Sequence, residues 1–116
     1  MQNLEIEKST AHIMIEVIEY IPNSAVFKTI IRKTTGNVSV AAIDTGETLA
    51  EKISPFDTFI QIIEGNAEII IDSESKTLKT GEAIIIPAHT SQFVRANERF
   101  KMISTIIKSG YEEAII

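Results

Sequence analysis

The chain has 116 residues and a mass of 12.8 kDa, enough for one domain core and not for a second of ordinary size. Eleven basic against sixteen acidic residues leave a net charge of −5, and the densest charge cluster, Glu112-Glu113, is acidic; both facts speak against a nucleic-acid partner. The absence of cysteine excludes disulfides, thiolate metal sites and a cysteine nucleophile.

Apolar runs reach only three or four residues, too short to cross a membrane as a helix. The start, Met1-Gln2-Asn3-Leu4-Glu5, has neither the positive charge nor the apolar stretch of a signal peptide. The expectation is one cytoplasmic domain over residues 1–116. Isoleucine occurs 23 times and leucine 3 times; with 5 Val and 11 Thr, β-branched residues make up about a third of the chain. Such side chains are stiff at χ1 and suit a pleated surface. An all-β sandwich or barrel follows, because a lone sheet of this length cannot bury its apolar face.

In chain order, residues 9–20 fit a short helix capped by Ser9 or Thr10, or a strand through Ile13-Met14-Ile15. Pro22-Asn23-Ser24 is a turn. Strands are predicted at 25–32 and 38–43, parted by Thr34-Thr35-Gly36-Asn37, and at 48–53 after the Asp44-Thr45-Gly46-Glu47 turn. Pro55 ends the third of these, because it cannot donate to a ladder. Further strands are predicted at 58–64 and 67–72 around a Gly65-Asn66 turn, then at 76–79, 83–86, 92–96 and 100–108. The tail from Ser109 fits a helical turn or an edge strand. About nine to eleven short strands with turns every eight to twelve residues describe a closed antiparallel sandwich or barrel. Ile60, Ile62, Ile69, Ile71 and Ile84 to Ile86 are its expected interior, at roughly 1.5–3 kcal/mol each when fully buried.

Two segments resemble the paired motifs of the cupin superfamily, small jelly-roll β-barrels. One runs from Gly46 through Lys52, Ser54 and Thr58 to Gly65; the other runs from Gly81 through Pro87 to Gln92. The likeness extends over roughly residues 20–108 and implies a cupin-type jelly roll. Cupins of the metal-binding kind hold a divalent ion with His, His, Glu and His. Carried over onto this chain, those positions are Lys52, Ser54, Thr58 and Gln92. Lysine is a cation with no acceptor, and the other three offer only neutral oxygens, poor ligands for iron, manganese or zinc. The resemblance with these substitutions therefore implies no metal and no cofactor.

Lys52 is the leading candidate for a ligand pocket, with Ser54, Thr58 and Gln92 as a neutral polar lining and His89 as a loop residue near the barrel mouth. Lys52 fits a counter-ion for an anionic ligand, or a base or Schiff-base former. The plain alternative is a packed stem whose ammonium reaches solvent, Glu51 or Asp57. For Ser54, Thr58 and Gln92 the plain alternative is hydrogen bonding between strands. For His89 it is an ordinary loop histidine, as for His12 a surface one. Phe56, Phe59, Phe93 and Phe100 are expected in the core or a subunit interface, and Glu64 at a solvated strand end.

The fold leaves function open. The leading expectation is a metal-free cupin that binds a small molecule, with a small anionic ligand as the candidate, or acts as a non-enzymatic accessory or sensor protein. A metal-independent isomerase or lyase using Lys52 or His89 is the first alternative, and a structural barrel with a filled cavity the second. The Ile-rich ends (Ile13, Ile15, Ile18, Ile115, Ile116) point to a homodimer. Neither a nucleic-acid nor a membrane partner is expected.

Overall fold

The computed structural model describes residues 5–110. Its β-branched composition resolves into eight antiparallel strands among those residues. They are β1 (Ala25–Lys33), β2 (Gly36–Ile43), β3 (Thr48–Ile53), β4 (Thr58–Ile71), β5 (Glu74–Lys79), β6 (Ala83–Ile86), β7 (Ser91–Arg95) and β8 (Phe100–Ile107). The ambiguous N-terminal stretch forms a single 3₁₀ turn, Met14–Glu16, inside an otherwise irregular segment.

The strands lie in the order β1-β2-β8-β4-β7-β3, with β5 and β6 both paired to β4. Strand β4 is the hinge of the barrel. Its first half, Thr58–Gln61, pairs with β6, and Thr58–Gly65 pairs with β8. Its second half pairs with β5 over Asn66–Ile71 and with β7 over Glu68–Ile71. One long strand thus belongs to a larger sheet (β1, β2, β8, β4, β6) and a smaller one (β3, β7, β4, β5), which face each other as a jelly roll.

This corrects the strand count and the predicted turn at Gly65-Asn66. The chain does not reverse there. The β4–β8 register shifts between Ile62 and Glu64, and Gly65 takes φ +83°, so the strand bends from one sheet into the other. A β-carbon at Gly65 would lie 2.4 Å from the Arg99 carbonyl oxygen, so glycine is required by contact as well as by φ. Two predicted strands therefore fuse into one of 14 residues.

The barrel interior is an apolar cluster that includes Ile43, Ile60, Ile62, Ile69, Ile86, Val94, Phe100 and Met102. Period-2 alternation explains which residues enter it. Ile60 and Ile62 point inward while Phe59 between them and the turn is 41% exposed. The same alternation corrects the expectation for Ile84 to Ile86. Ile86 is buried, but Ile85 stands on the outer face and is 63% exposed, because β6 packs on one side only.

A second apolar cluster lies outside the barrel. Val40 and Ala42 project from the back of β2 and are covered by Ile18, with Val17, Tyr20, Val26, Ile30, Ile63 and Ile103 around them. The irregular N-terminal segment is held on the sheet by this layer, not by strand pairing.

Candidate functional site

A cavity of about 230 Å³ opens between the two sheets at one end of the barrel. Lys52, Thr58 and Gln92 line it, so three of the five candidate residues come together. Lys52 on β3 and Gln92 on β7 are direct register partners in the smaller sheet. Thr58 opens β4 in the larger sheet, between Ile86 of β6 and Ile106 of β8. Thr58 is 3% and Gln92 5% exposed, whereas Lys52 is exposed at the mouth.

Two lining residues were not singled out from the sequence. Ser39 of β2 and Ser104 of β8 stand opposite each other in register and both face the cavity. The signal was available. Alternation along Ser39, Ala41 and Ile43 places Ser39 on the inward face, where a hydroxyl among apolar neighbours is unusual.

Among the described residues, the side chains of Lys52, Thr58, Gln92, Ser39 and Ser104 have no hydrogen-bond or ion-pair partner in the protein. Among the described residues, no buried side-chain polar atom is left without a partner either. The polar atoms of Thr58, Gln92, Ser39 and Ser104 therefore reach accessible space and not dry protein, while Lys52 is exposed at the cavity mouth. The rest of the lining is apolar and includes Leu49, Ile60, Val94, Met102 and Ile106.

Ser54 and His89 do not line this cavity. The Ser54 hydroxyl accepts the Phe56 N–H at 3.1 Å, and the Ser54 carbonyl accepts the His89 N–H at 2.7 Å. Asp57 Oδ1 takes the Ala88 N–H at 2.8 Å. These bonds staple the Pro87–Thr90 loop to the Ser54–Asp57 loop. His89 sits in that staple with φ +65° and an exposed side chain. Neither acidic neighbour reaches Lys52: Glu51 accepts a hydrogen bond from the Ser91 hydroxyl, and no salt bridge involving Lys52 occurs among the described residues.

The polar groups outside the barrel behave differently. The Tyr20 hydroxyl donates to Glu64 at 2.7 Å, and Lys101 Nζ lies 3.9 Å from the same carboxylate. Lys101 also donates to the Ile15 carbonyl. The Arg99 guanidinium stacks 4.3 Å from the Tyr20 ring centre and pairs with Asp44 at 3.1 Å. Burial, then the bond to Glu64, raises the Tyr20 phenol well above its ordinary range. The Asn23 backbone N–H, followed by that of Thr45 and by Arg99, holds Asp44 below the usual carboxylate range. Glu64 is thus part of a clamp on the N-terminal segment, not a solvated strand end. His12 is exposed, and its Nε2 donates to the Glu7 carbonyl at 2.9 Å.

No family model matches the chain, and no curated protein matches it. Solved structures do. The chain is similar to a conserved protein of unknown function from Streptococcus pyogenes, with TM-score 0.86, 24% identity, and 95% of this chain and 97% of that one covered. It is similar to a cupin superfamily protein from Desulfitobacterium hafniense, with TM-score 0.85, 21% identity, and 93% and 100% covered. A cupin 2 conserved barrel domain protein from Leptotrichia buccalis matches at TM-score 0.78 and 26% identity, over 81% of this chain and 46% of that one. The chain is a cupin in fold, as its two motifs implied. No helix among the described residues is long and apolar enough to cross a membrane.

The metal that many cupins carry does not fit the donors on this cavity. An ammonium, a threonine hydroxyl, a primary amide and two serine hydroxyls supply no imidazole, carboxylate or thiolate. A divalent ion beside Lys52 would meet charge repulsion from an ammonium that has no carboxylate to offset it. Among the described residues, no group of three His, Cys, Asp or Glu stands close enough to hold an ion elsewhere.

Proposed function

We propose that this cupin works without metal and binds a small organic anion in its barrel cavity, as an accessory or sensor protein. One observation carries the reading. Five polar side chains, one of them a cation, converge on a cavity of about 230 Å³ and have no protein partner among the described residues. Polar groups facing apolar walls are stable only when hydrogen-bonded, and a few placed polar groups in an apolar pocket are how small-molecule sites fix their ligands. The open cavity weighs against a barrel packed shut by isoleucine. The position of His89 off the cavity leaves Lys52 without an acid-base partner, which weighs against a lyase or isomerase.

The test is a thermal-shift screen of small carboxylates and phosphate against the whole chain and Lys52→Met, with elemental analysis after dialysis. Stabilisation by an anion that disappears in Lys52→Met, with far less than one equivalent of transition metal, supports the reading. Stoichiometric metal, or no anion that depends on Lys52, overturns it.

The protein is also proposed to be a homodimer. On the outer face of the larger sheet, Ile85, Phe59, Thr105, Val38 and Ile31 lie in one register row across five strands. Ile85, Phe59 and Ile31 in that row are exposed. No charged side chain interrupts it, and a second copy would cover it. Sedimentation at tens of micromolar should give twice the chain mass; a species near 12.8 kDa refutes the assembly.

A further inference from the structure

We infer that the ligand is a hydroxy- or oxo-monocarboxylate of short carbon chain. The carboxylate sits on Lys52 and Gln92, and the second oxygen on the Ser39–Ser104 pair. This rests on the reading of the cavity as an anion site and narrows it to a chemical class.

Lys52 and Gln92 are adjacent on the smaller sheet, one supplying charge and the other an amide N–H pair. That combination is suited to a carboxylate: the ammonium balances its charge and the amide donates to its second oxygen. Lys52 is the lone cation on the cavity wall among the described residues, so a single negative charge is matched and a second one is not.

Ser39 and Ser104 stand on the larger sheet, in register with each other across β2 and β8. Their inward neighbours along those strands are Ala41 and Met102, themselves register partners in the same cavity wall. The two hydroxyls therefore form a second polar pole set in an apolar surface. Each can donate and accept, so the pair suits a ligand hydroxyl or carbonyl. A plain alkyl chain placed there would expel water from the hydroxyls and return no hydrogen bond, which loses affinity.

Size gives the third constraint. The cavity is compact, at about 230 Å³. That is less room than the usual site for a drug-sized ligand. A short-chain acid suits this space better than a nucleotide or a disaccharide. The apolar remainder of the wall, with Leu49, Ile60, Val94 and Met102, matches the carbon chain of such an acid and not the surface of a compact inorganic ion.

The experiment is calorimetric titration of the full chain with 3-hydroxybutanoate, butanoate, 3-hydroxybutanamide and inorganic phosphate. Wild type, Lys52→Met and the double variant Ser39→Ala/Ser104→Ala are compared, each verified as folded by circular dichroism. In wild type, 3-hydroxybutanoate binds about five- to tenfold more tightly than butanoate, the range one net hydrogen bond supplies. The double serine variant abolishes that preference while still binding butanoate. Lys52→Met weakens both acids and not the amide. If the serine variant does not fold, Ser39→Cys and Ser104→Cys singly carry the same comparison.

Equal affinity for the two acids in wild type overturns the second pole. Lys52-dependent binding of phosphate above either acid overturns the carboxylate class while leaving an anion site in place. Absence of any Lys52-dependent binding overturns both this inference and the reading beneath it.

Discussion

The two faces of the larger sheet are both apolar, and they treat polar groups in opposite ways. On the outer face, the groups that approach the Ile18–Val40–Ala42 layer are mutually paired: Tyr20 with Glu64, Lys101 with the Ile15 carbonyl, Arg99 with Asp44. On the inner face, Ser39, Ser104 and Thr58, with Lys52 and Gln92 opposite, have no such partners among the described residues. Paired polar groups fix a segment to a sheet; unpaired ones around a cavity leave their hydrogen-bonding capacity to something else. The difference separates a structural clamp from a binding site on the same three strands.

Breaking the barrel's own core should have the largest effect. Phe100→Ala removes a fully buried ring from the inner cluster and is expected to cost about 3–5 kcal/mol in urea unfolding. Gly65→Ala should also destabilise strongly, since it forces a β-carbon against the Arg99 carbonyl at φ +83°. A loss of under about 0.5 kcal/mol in either variant would mean that the hinge and core are looser than described.

The next effect separates the faces. Lys52→Met should change stability by less than about 0.5 kcal/mol while weakening anion binding by about 1.5–3 kcal/mol, the range for hydrogen bonds to charged groups. Tyr20→Phe should do the reverse. It removes the bond to Glu64, costs about 0.5–1.5 kcal/mol, and leaves anion binding unchanged. A binding defect in Tyr20→Phe would couple the clamp to the cavity and blur the contrast.

The smallest effect is on acid stability. Asp44 is held below its ordinary value of 3.8 in the folded chain, so its contribution is present above that pH and is lost as pH falls through the lowered value. Asp44→Asn should flatten the decline in thermal midpoint below about pH 4 relative to the native chain, and leave the midpoint's response to ligand unaltered. An unchanged acid limb would show that Arg99 and the Asn23 N–H contribute nothing there.

Much of this contrast was legible in the sequence, and the failures have physical causes. Most strand positions from Ala25 to Ile107 follow from β-branched runs and Gly, Asn and Pro punctuation, although β2 opens at Gly36 and β5 at Glu74, each two residues before the expected start. Gly65-Asn66 misled because a glycine at positive φ serves a hairpin turn and a strand bend alike, and only the pairing of β4 with four neighbours tells them apart. Lys52, Thr58 and Gln92 were marked by motif position. Ser54 was marked in the same way, yet its hydroxyl serves the turn at Phe56. Ser39 and Ser104 were hidden because a serine in a strand is ordinary until its inward face and its register partner are known. The Tyr20–Glu64 contact joins residues 44 apart in the chain, beyond the reach of any local pattern.

Native mass spectrometry of the protein purified from its own source tests the central claim most directly. The account predicts that the folded chain retains a small organic anion, that Lys52→Met purified in parallel lacks it, and that neither carries a transition metal. A bare chain mass for the native protein, or a mass increment equal to iron, manganese, zinc, nickel or copper, would contradict it.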